Sequence, residues 1–99
     1  MPPVISHSKR FWALPPPEQI TVVETEWEEF QLTSRSPTNE ERIATAEQHL
    51  QSLIHTSEKF TTAEKIQWWG SVDSFDSAIE KYIQRRRAVL TRYRLGIFN

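Results

Sequence analysis

Three stretches of the chain repeat apolar residues at helical spacing. Between residues 38 and 56 the stripe is Ile43, Ala46, Leu50, Leu53 and Ile54, at i, i+3, i+7, i+10 and i+11, one face of a 3.6-residue period. Thr38 stands at its start with Glu41 three residues on, the pattern of a capping box. The last helix is predicted over residues 73–95, with Phe75, Ile79, Tyr82, Ile83, Val89 or Leu90, and Tyr93 on its inner side. Ser71 or Asp73 can cap it, and Gly96 supplies its stop. Between the two, Thr61 and Glu64 form another capping pair, opening a short helix over residues 61–69 that Gly70 ends.

Residues 20–33 carry two patterns at once. The β-branched group Ile20, Thr21, Val22 and Val23 favours a strand, whereas Ile20, Val23, Trp27 and Phe30 share one helical face. Thr21 and Glu24 are spaced as a capping pair. Residues 20–32 are therefore expected as a further helix or an edge strand. Residues 34–38, with Pro37, read as a turn, because the residue before a proline avoids helical geometry.

Five of the six prolines fall in residues 1–19, and Pro15, Pro16 and Pro17 favour polyproline II. That segment is expected to be an extended Pro-rich arm with a basic and aromatic centre: Lys9, Arg10, Phe11 and Trp12. The expected fold is all-α. A helical hairpin of residues 38–56 and 73–95 is bridged by 61–69, as one small helical domain over residues 20–99 behind the arm at 1–19.

Composition narrows the function classes. The chain of 99 residues has no cysteine, which removes disulfides, thiolate chemistry and cysteine-based zinc sites. Two glycines are too few for a glycine-rich phosphate loop. His49 and His55 are six residues apart, not the four that stack a zinc pair on one helical face. The serines and threonines that stand out are at expected helix starts, where capping accounts for them. No catalytic set, cofactor or metal is expected. No apolar run approaches the length that spans a bilayer, so no membrane partner is expected, and a cytoplasmic location follows by default.

Charge is uneven although the net is only −1. Residues 18–42 hold seven acids, Glu18, Glu24, Glu26, Glu28, Glu29, Glu40 and Glu41, against Arg35 and Arg42. Residues 71–99 hold six bases, Lys81, Arg85, Arg86, Arg87, Arg92 and Arg94, against Asp73, Asp76 and Glu80. The two segments either neutralise each other or meet partners. Arg86 interrupts the apolar stripe between Ile83 and Leu90, so it must snorkel, pair with an acid or reach a partner.

The leading expectation is a non-catalytic adaptor or assembly subunit that binds a protein partner through Phe11, Trp12 and Leu14 of the arm and through Trp68 or Trp69. The adjacent tryptophans point about 100° apart on a helix, so one is expected inside and one outside. One alternative is a nucleic-acid-binding accessory protein using Lys81, Arg85, Arg86, Arg87, Arg92 and Arg94, with Lys81, Arg85 and Arg92 on one side of the last helix. Another is an inhibitor or antitoxin-like protein whose acidic segment covers a partner. The pattern leaves the oligomeric state open.

Overall fold

The computed structural model describes residues 7–33 and 38–97, all of whose regular elements are helices. In chain order these are α1 (Lys9–Trp12), α2 (Pro16–Thr33), α3 (Asn39–Glu58), α4 (Thr62–Trp69) and α5 (Val72–Arg94). The fold is the expected small all-α domain, and residues 20–32 are helical. The β-branched group loses to the helical face because Ile20, Val23 and Trp27 all become buried on it. The start of the arm, residues 1–6, and the turn at 34–37 lie outside the described residues.

The described part of the arm differs from its extended expectation. Residues 9–12 form a helical turn whose Ser8 hydroxyl accepts from the Phe11 amide at 3.4 Å. The proline run does not precede α2 but opens it: Pro16 and Pro17 are its first two residues. Proline lacks an N–H, but the first N–H groups of a helix have no intrahelical partner in any case, and its fixed φ is already helical. Thr21 and Glu24 consequently fall inside α2 and form no cap. Thr21 instead donates its hydroxyl to the Pro17 carbonyl at 3.0 Å.

The other starts follow the capping pattern. Thr38 accepts from the Glu41 amide at 3.1 Å, half of the expected box. Thr61 and Glu64 complete theirs: the Glu64 amide donates to the Thr61 hydroxyl at 3.1 Å, and the Thr61 amide to the Glu64 carboxylate at 2.9 Å. Ser71 rather than Asp73 caps α5, accepting from the Ser74 amide at 3.0 Å. Gly70 ends α4 at φ +88°, a left-handed conformation that a side chain would strain.

α3 is the centre of the assembly, with α2 and α5 packed along it and α4 against the start of α5. Two apolar clusters set the directions. Phe11, Ile20, Val23, Leu53, Phe60, Phe75 and Ile79 meet at one end. Trp27, Ala46, Leu50 and Leu90 meet at the other. The first group joins the starts of α2 and α5 to the end of α3, and the second does the reverse. α2 and α5 therefore run parallel to each other and antiparallel to α3. Ile83 packs against both clusters.

Candidate functional site

Four surfaces or clusters hold the residues singled out from the sequence. The first is the cap formed by α4. None of its residues is fully buried, because the helix lies on the end of the bundle. Trp69 turns inward, stacked near Phe60 at 5.8 Å and edge-on to Phe75 at 4.8 Å. The Lys65 ammonium sits over the Phe75 ring at 4.9 Å, so its stem covers the same seam. Trp68, about 100° further round, faces solvent at 44% exposure; Ile66, exposed at 51%, lies about 200° round the helix from Trp68, on a different side. The adjacent tryptophans thus divide their roles: Trp69 fastens α4, and Trp68 is left outside.

The second is the aromatic turn at the N-terminal side. Phe11 is buried in the first cluster, stacked against the His7 ring at 3.9 Å. Trp12 and Leu14 are half-buried against that cluster. Trp12 stands edge-on to His55 at 5.8 Å, with the Lys59 ammonium 5.9 Å from its ring. His7 contacts the Glu26 carboxylate through Nε2 at 3.2 Å. Gln19 ties the segment down, donating to the carbonyls of Leu14 at 2.9 Å and Trp12 at 3.4 Å. Folding back in this way removes Phe11 from the surface and leaves Trp12 and Leu14 half-buried.

The third is the buried charge at the middle of the bundle. Arg86 is 1% exposed. It donates to the Glu24 carboxylate, to the Val23 carbonyl at 3.1 Å and to the His49 carbonyl at 2.5 Å. Its guanidinium lies 5.4 Å from the centre of the Trp27 ring. One residue of α5 thereby holds both α2 and α3. Burial pushes the Glu24 carboxyl above its ordinary range despite the opposing pull of Arg86, and burial lowers Arg86 despite Glu24. Both directions mean that desolvation outweighs the attraction within the pair, as expected for a buried ion pair. His49 is also held below its ordinary value, first by burial and then by Arg86. Its ring stacks on Phe30 at 5.0 Å and meets Trp27 at 5.8 Å. As a nucleic-acid ligand, Arg86 would have to leave this site, so it drops out of the basic surface.

The fourth is the outer face of α5. Lys81, Arg85, Arg87, Arg92 and Arg94 are exposed. Lys81, Arg85 and Arg92 share one side with Ala88, and Arg85 lies 5.9 Å from the Tyr82 ring. Arg94 is on another side and pairs with Glu47 of α3 at 2.7 Å. The acidic and basic segments therefore neutralise each other only in part. The Arg86–Glu24 pair joins α5 to α2, while Glu28 and Arg85 have no opposite charge within salt-bridge distance among the described residues.

Ile66, Leu32 and Leu95 had no part in the sequence-based candidates, yet they are among the exposed large apolar residues, the latter two at 86% and 72%. The signal was present only as apolar residues off the buried stripe. No group of three His, Asp or Glu among the described residues is arranged to hold a metal ion, and no described helix is long and apolar enough to cross a membrane. No protein-family model, curated protein or solved structure matches the chain.

Proposed function

We propose that this chain is a non-catalytic binding module of a larger assembly, whose contact surface for a protein partner is the side of α4 that presents Trp68. The observation that carries the reading is the split between two neighbouring tryptophans. Trp69 anchors the helix, and Trp68 is presented to solvent on a short helix capped at both ends. A tryptophan brings a large contact area with only two side-chain torsions to order, and it is enriched among residues that dominate binding energy. Trp12 and Leu14 remain at the surface as secondary contacts; Phe11 does not, being part of the core.

The nucleic-acid alternative has less support. Arg86 is committed to the interior, Arg94 is paired with Glu47, and Glu28 is exposed on the neighbouring helix.

The test is capture of partners from native extract with the wild-type chain and with Trp68→Ala, both after nuclease treatment. A hot-spot tryptophan contributes on the order of 2 kcal/mol or more, so recovery of a defined protein should fall by about thirtyfold with the melting temperature unchanged. Equal recovery by both proteins would remove α4 as the contact surface.

A further inference from the structure

We infer that His49 makes the outer half of α2 an acid-opened flap: protonation of its ring releases residues 27–33 from α3 while the rest of the bundle stays closed. The flap is held narrowly. Past Glu26, only Trp27 and Phe30 of α2 are withdrawn from solvent, and Glu28, Glu29, Gln31, Leu32 and Thr33 are exposed. Both of those rings meet the His49 imidazole, Phe30 stacked at 5.0 Å and Trp27 edge-on at 5.8 Å. Trp27 packs in addition with Ala46, Leu50 and Leu90, and Phe30 lies against the same cluster.

The inner half of α2 is held by other contacts. Ile20 and Val23 belong to the cluster at the opposite end, with Phe11, Leu53 and Phe75, and Gln19 is bonded to the arm. Arg86 also holds the Val23 carbonyl and the Glu24 carboxylate. Loss of the outer contacts therefore stops at the turn of Val23.

The charges around the ring set the direction of the response. His49 is 9% exposed. From α5 the Arg86 guanidinium donates to the His49 carbonyl. From α2 come Glu24, already taken by Arg86, and Glu26, which contacts His7. Tyr93 of α5 packs against the same cluster as Trp27. One turn away on α3 itself stand Thr45, Ala46, Ser52 and Leu53, none of them charged. No carboxylate among the described residues lies within salt-bridge distance of the ring. An imidazolium would thus be a second cation beside Arg86 in a buried seam. Burial first and Arg86 second outweigh the pull of Glu26 and hold the ring below its ordinary 6.5. With the flap open the ring is in water and takes up its proton at the ordinary value. Opening is therefore favoured as pH falls below about 6.5, by at most about tenfold per pH unit. The device lies at the other end of the bundle from α4 and does not depend on the protein-partner reading.

Native-state hydrogen exchange followed by NMR at about pH 7.5 and about pH 5 tests this, each rate being divided by the intrinsic rate of that amide at that pH. At the lower pH, protection of the Trp27 to Phe30 amides should fall several-fold with little dependence on denaturant. Leu53 and Ile79 amides should stay better protected at both pH values. His49→Gln should abolish the difference. Glu26→Gln removes the acid that favours the charged ring and should enlarge it. The His49 ring signal should titrate below its ordinary value. Protection of Trp27 to Phe30 that ignores pH overturns the proposal, as does an equal pH response in His49→Gln or a smaller one in Glu26→Gln. So does a common protection of these amides with Leu53 and Ile79 at acid pH, which would mean that the whole bundle opens at once. A ring that titrates at or above the ordinary value, as attraction to the faces of Phe30 and Trp27 alone would produce, overturns it too.

Discussion

Arg86 sits where its sequence neighbours require an apolar side chain, and it is accommodated because three acceptors converge on it from two helices. Its Nε has no acceptor, so the site is incompletely satisfied, and desolvation outweighs pairing. That combination sets the expected mutational pattern. Arg86→Ala leaves the Glu24 carboxylate half-buried without its counter-charge and should cost about 3–5 kcal/mol of unfolding free energy. Arg86→Met combined with Glu24→Gln removes both charges at similar volume and should come close to wild-type stability. Denaturant titration of the three proteins decides it, and a double variant as unstable as Arg86→Ala would mean that the pair stabilises the fold outright.

His49 has the opposite handle. Its folded value lies below the ordinary 6.5, so the unfolded chain binds protons more readily in that window. Stability is then complete above pH 6.5 and falls as pH drops from there towards the folded value. Glu24, with its raised carboxyl, contributes with the opposite sign just above its ordinary 4.5, but it does so in wild type and variant alike. His49→Gln should therefore flatten the acid-side decline of the melting temperature, and equal slopes for the two proteins would show that His49 is not its source.

At the scale of elements, capping chemistry is what made the chain readable. Thr38, Thr61, Ser71, Gly70 and Gly96 mark helix ends, each by supplying a local backbone requirement that needs no tertiary contact. α4 depends most on its ends, having only eight residues and no fully buried side chain. Thr61→Ala removes an acceptor for the Glu64 amide and should destabilise the fold by about 1 kcal/mol. Hydrogen exchange should show the loss first in α4 amides, and uniform loss across α3 and α5 would contradict a local role. The same local logic misread Pro15 to Pro17 and the Thr21–Glu24 pair. A proline run is compatible with an extended arm or with a helix start, and the choice fell to the burial of Gln19, Ile20 and Val23 just behind it. A capping pair inside a longer helix is only two polar residues on its surface.

For the molecule as a whole, α3, α4 and α5 with their limits and the antiparallel pairing of α3 with α5 were legible in the amino-acid pattern, because period and caps are local and short connections leave few arrangements; α1 and the start of α2 were not, and residues 20–32 stood open between helix and strand. The oddity of Arg86 was legible too, since a charge on an apolar stripe violates the pattern by itself. Its partners were not, because Glu24, Val23 and His49 come within reach only when α2 and α5 both lie on α3. The burial of Phe11, the inward turn of Trp69 and the outward turn of Trp68 depended likewise on where one helix end met another. Sequence by itself determined α3, α4 and α5 and which residues are out of place on them. Tertiary structure decided which of those residues are satisfied inside and which remain for a partner, because burial depends on neighbours that the local pattern does not specify.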